Sequence, residues 1–152
     1  MRIAPVVVVL LTALSIPACA SSAADTKIPD EQMLTALEQR AAQAQPREQC
    51  FLYAQLVHEM IEFSARQYQD GDVDKANGLL KKAQEFTHKI TSALAVNDKK
   101  LKDAQILLRR TAFRLTELMH ASGPDENHEL LKETLAQLNQ AQEDTMLQVF
   151  KK

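Results

Sequence analysis

The chain has 152 residues, 45% of them hydrophobic and 25% charged, with 18 Lys and Arg against 20 Asp and Glu. That composition is globular rather than disordered, fits one domain, and offers no basic excess for nucleic acid. Three Gly, five Pro and no Trp exclude a turn-rich all-β chain and leave a core of Leu, Ala, Val, Ile and Met.

Residues 1–20 read as an export signal rather than as structure. Arg2 gives a basic start, VVVVLLTALSI an apolar run, and PACASSAA a zone of small residues suited to cleavage. The run falls short of the roughly 20 apolar residues of a membrane span, and no other stretch in the chain approaches it. Loss of Arg2 with the signal leaves 17 basic side chains against 20 acidic ones.

Ile16-Pro17-Ala18-Cys19 resembles the lipobox of bacterial lipoproteins, in which small residues precede a cysteine that receives lipid. The resemblance implies lipidation at Cys19, with residues 21–29 as a flexible tether and residues 30–152 as the folded domain. Pro17 departs from the usual small residue. An ordinary cut after Ala20, or near Ser22-Ala23-Ala24, is the competing reading and would release a soluble secreted or periplasmic protein. Cys50 is then the only other thiol, so an internal disulfide is not expected. Flanked by Phe51, Leu52 and Tyr53, it reads as a small buried apolar residue.

From Asp30 onward apolar residues recur every three or four positions. A short first helix is predicted over about 30–45 on Leu34, Leu37, Ala41 and Ala44. Pro46 opens a second helix reaching about Gln69, with an apolar arc so wide that it should be the centre of a bundle. Asp70-Gly71-Asp72 is a turn, with Gly71 free to take a left-handed backbone and Asp72 placed to cap the next helix. The third helix runs from Val73 to about Ala95 on Val73, Ala76, Leu80, Ala83, Thr87, Ile90 and Leu94. Asn97-Asp98 opens a fourth, to about Ala121, on Leu101, Ala104, Leu108, Thr111, Leu115 and Leu118. After Ser122-Gly123-Pro124-Asp125 the last helix continues from Glu126 on Leu131, Leu135, Leu138, Gln142, Thr145 and Val149.

Four long helices joined by short turns predict an all-α fold, an antiparallel up-down four-helix bundle with a short extra N-terminal helix. The fourth helix region carries six basic residues and the last six acidic ones, so the two should attract as neighbours. DGDVDKANGLLKKAQEF, Asp70 to Phe86, resembles the turn and second helix of a tetratricopeptide repeat, with Gly71, Ala76 and Ala83 at its spacing and Leu80 between them. The likeness spans about residues 63–86 in a single copy. What it implies is a helix hairpin.

Glu85-Phe86-Thr87-His88 and Glu117-Leu118-Met119-His120 share the Glu-x-x-His spacing of metal sites in bundle cores. At about 100° per residue, however, both pairs fall away from the apolar arcs of their helices. His58, Glu59 and Glu62 occupy the narrow polar side of the second helix. Neither a metal nor a cofactor is therefore expected. Few glycines are available for an oxyanion or phosphate loop, and no histidine is paired with a nucleophile, so no catalytic residue is assigned.

One feature points outward. Ile106 and Phe113 lie seven apart on a second face of the fourth helix, beside His120. Either the first helix covers them, or they form a partner or self-association surface. The reading favoured is an exported, lipid-anchored envelope protein with a structural or protein-interaction role. Its rival is a carrier of a small ligand in the bundle interior.

Overall fold

A computed structural model describes residues 29–94, 99–123 and 127–151. Cys19, the export segment and nearly all of the tether lie outside them. The described chain is all-helical: α1 (Glu31–Gln43), α2 (Pro46–Gln69), α3 (Val73–Ser92), α4 (Leu101–Ser122) and α5 (Asn127–Phe150).

Local chemistry sets most helix ends. The Asp30 carboxylate accepts from the Met33 amide at 2.7 Å, and α1 then buries Leu34, Leu37 and Ala41. Pro46 occupies the first turn of α2, where a missing N–H costs nothing. At the end of α2 the Gly71 amide donates to the Tyr68 carbonyl and the Asp72 amide to that of Gln67, with Gly71 at φ +82°. This is the two-bond closure that glycine permits after a helix. The Asp72 side chain then accepts from the Lys75 amide and starts α3.

Two expected boundaries move. The third helix ends at Ser92 rather than Ala95, and the fourth opens at Leu101 rather than at Asn97-Asp98. The second shift has a tertiary cause. The Lys99 amide donates to the Arg47 carbonyl at 2.8 Å, and Lys100 takes a left-handed backbone with φ +56° before the helix begins.

Successive long helices alternate in direction, as an up-down bundle requires. Their lateral order is less simple: α2 packs on α1, α3 and α4, and α5 packs on α3 and α4. The consecutive helices α3 and α4 do not pack, and stand across a diagonal. Hydrogen bonds 50 residues apart join Asn77 to Asn127 and Gln84 to Thr134, so α3 and α5 run parallel. Those between Lys99 and Glu48, His58 and Thr111, and Arg114 and Glu62 make α2 and α4 parallel too. The bundle is thus two antiparallel hairpins, α2–α3 and α4–α5, stacked side by side with like-directed helices in contact.

The short α1 packs against α2 on the side away from α4, tied to α3 by Glu31–Lys75 and Glu38–Lys82 ion pairs. It does not reach α4. The core between the hairpins is filled by Leu56, Met60, Ile61, Leu80, Ile90, Leu108, Leu115, Leu131 and Leu138. Four threonines interrupt it without penalty, because Thr87, Thr111, Thr134 and Thr145 each donate to the carbonyl four residues back. On α5 the buried stripe centres on Thr134 and Ala141, so Leu135 and Gln142 are only half-buried; Val73, at the mouth of α3, is exposed. Cys50 is fully buried.

Candidate functional site

The stack places α4 at its edge, with one side on α2, one on α5 and the rest facing outward. Ile106 and Phe113, two turns apart, fall on that outward strip, at 51% and 67% exposure. The first helix does not cover them. Together they line a shallow hollow with Arg109, Arg110 and Arg114, walled by Glu117 and, from α2, by His58 and Glu62. An apolar floor with guanidinium groups around it suits a surface that is both apolar and anionic. His120 is exposed on the same helix, but does not line this hollow.

Below the hollow runs the α2–α4 seam, which sequence reasoning did not single out. The Thr111 hydroxyl spends its hydrogen on the Leu107 carbonyl, at 2.8 Å. It can therefore only accept from His58 Nδ1, 2.9 Å away, which fixes the neutral imidazole with its proton on Nδ1 and Nε2 open. Burial pushes the His58 pKa below its ordinary value; Glu62 opposes the shift and Arg110 adds to it. Burial likewise raises Glu59 above the usual carboxylate range, helped by Glu62 and opposed by Arg66. Arg114 lies against both Glu62 and Glu117, at 3.3 Å from each. The available signal was Thr111 itself, a hydroxyl in the middle of an apolar stripe, level with the polar side of α2.

The expected attraction between α4 and α5 takes another form. Among the described residues no ion pair joins these two helices, and Arg114 turns to α2 instead. Glu85, His88, Glu117 and His120 are all exposed, and the two Glu-x-x-His pairs stand on helices that do not touch. No cluster of three or more His, Cys, Asp or Glu side chains suited to a metal occurs among the described residues. None of the described helices is long and apolar enough to cross a membrane. No family model, curated protein or solved structure matches the chain. The class these features define is a small all-helical bundle of stacked hairpins with one apolar, arginine-rimmed edge.

Proposed function

We propose that the protein is exported, held at a membrane by lipid on Cys19, and presents its bundle to a protein partner through the outward face of α4. The observation that carries the reading is the exposure of Ile106 and Phe113 in a hollow where Arg109 and Arg110 stand free of the Arg114–Glu62–Glu117 ion pairs. A side chain as apolar as Phe113 held in water forgoes a stabilisation of about 1.5–3 kcal/mol that burial would supply. A docked partner supplies it. Support for the anchor is the position of Cys19, directly after the apolar run and about ten residues before the first helix. The acyl chains on such a cysteine hold a soluble domain on a bilayer when two or more are present, at about 0.8 kcal/mol per buried CH₂.

Phe113→Glu tests the surface: a partner complex recovered with the wild type is lost, while helicity by circular dichroism stays the same. If the substitution unfolds the bundle, Phe113 belongs to its packing and the proposal fails. Cys19→Ser tests the anchor: wild type fractionates with membranes and the variant does not. An unmodified N-terminus at Ser21 or Asp25 by intact mass would replace the lipid anchor with ordinary cleavage. The carrier reading makes a different prediction for the same preparation, namely a bound chromophore or stoichiometric metal.

A further inference from the structure

Exposed apolar side chains are not spread evenly over this molecule. Among the described residues six large hydrophobics are exposed, and five of them, Ile106, Phe113, Met146, Leu147 and Phe150, stand on α4 and α5. The other hairpin is covered on both sides, by α1 and by α4–α5. Stacked helical units need a covering element at each end. Here α1 supplies one, and the free face of α4–α5 has none.

The two helices of that face also differ in sign. On α4 the exposed Lys102, Arg109 and Arg110 outnumber the exposed Asp103 and Glu117; on α5 the exposed Glu129, Glu133 and Glu143 outnumber Lys132. Of these, Glu117, Glu129 and Lys132 take part in ion pairs within their own helices, while Arg109 and Glu143 take part in none among the described residues. A face that is net basic along one helix and net acidic along the next is complementary to itself. Resting on the interaction role proposed above, we infer that its occupant is a second copy of this chain, hairpin against hairpin, in a two-fold dimer.

The charges select the arrangement. A two-fold axis perpendicular to the helices would set α4 against α4 and bring like charges together. An axis along the helices sets α4 of one copy against α5 of its partner, antiparallel, and opposes basic to acidic. It also keeps the levels. Helix α4 ends at Ser122 and the antiparallel α5 begins at Asn127, so residues equidistant from these two ends lie at about one height. Ile106 is then level with Glu143, and Arg109 with Gln140, one turn from Glu143. In the dimer Ile106 meets the Glu143–Leu147 turn of the partner helix, and Arg109 reaches the acidic position beside it. Two helices about 33–36 Å long, side by side at about 10 Å, present roughly 700 Å². A stable interface uses about 800 Å² per partner, so the face is of the right size once its flanking side chains are counted.

Photo-cross-linking from position 113 of the full chain, in the cells that make it, tests this. Benzoylphenylalanine at position 113 keeps the phenyl ring and adds a benzoyl group at its tip, which the exposure of Phe113 leaves room for. The expected product has twice the mass of the chain, and its cross-linked peptide lies within α5. Arg109→Glu should reduce that product by about tenfold or more, because like charges then face each other across both halves of the interface. Adding Glu143→Arg to Arg109→Glu should restore it. A cross-link to a different protein would overturn the dimer and leave the proposed interaction role standing. A cross-link to lipid, or none at all, would overturn both. A dimer product indifferent to Arg109→Glu would overturn the α4-to-α5 pairing.

Discussion

Thr111 closes two hydrogen bonds with one hydroxyl, and the α2–α4 seam depends on it. Thr111→Val keeps the shape but leaves His58 Nδ1 without its acceptor, which should cost about 1–2 kcal/mol of stability by denaturant midpoint. Thr111→Ser, which retains the hydroxyl, should cost clearly less. The same histidine makes stability depend on pH. Its folded pKa is lowered, so as pH falls through 6.5 the unfolded chain takes up a proton before the native one does. Stability is complete above 6.5 and declines below it, towards the folded value. Glu59 acts in the opposite sense nearer its own 4.5, where the native state protonates first. Unfolding curves of wild type and His58→Gln from pH 7.5 to 5.5 should therefore diverge, with the wild type losing stability more steeply. Parallel curves would mean that His58 titrates as freely in the fold as outside it. In the core, Leu80 and Leu115 are fully buried, and Leu→Ala at either should cost about 2–5 kcal/mol. Glu85→Ala, on the exposed face of α3, should change stability by less than about 0.5 kcal/mol.

At the scale of the helix, what was legible in the sequence is what neighbours in the chain decide. Asp30, Pro46 and the Gly71-Asp72 pair mark helix ends because caps and left-handed turns act over a few residues. Asp30→Ala should accordingly cost about 1 kcal/mol, measurable as a shift in thermal midpoint. The start of α4 was not legible, because Lys99 is held by the carbonyl of Arg47 at the start of another helix. The lateral order was not legible either. Charge balance pointed to α4 and α5 as neighbours, and they are, although among the described residues no ion pair joins them. The candidate surface was half legible. Ile106 and Phe113 share a strip because they are seven apart, whereas what lies over that strip depends on where α1 docks. The α1 helix goes to the other side of α2, drawn by Leu34 and Leu37 and by ion pairs to Lys75 and Lys82. His120 shares the strip by angle, but lies beyond the arginines that close the hollow.

For the whole molecule, the consequence is asymmetry. One end of the stack is finished by α1 and the other presents Ile106, Phe113 and the exposed end of α5 to water. The central claim is that this second end is covered when the protein is at work, whatever covers it. Glu117 sits on the rim of the hollow and Glu85 on an exposed part of α3, so cysteines at these two positions report the two surfaces without removing Ile106 or Phe113. Native Cys50 is buried and should stay silent. The measurement is the rate at which a maleimide modifies Glu117→Cys and Glu85→Cys, in dilute purified protein and in the cells that produce it. The account predicts that position 117, relative to position 85, reacts about tenfold more slowly in cells than in dilute solution, where each 1.4 kcal/mol of docking corresponds to that factor. An unchanged ratio would contradict it and return the α4 face to ordinary solvated surface.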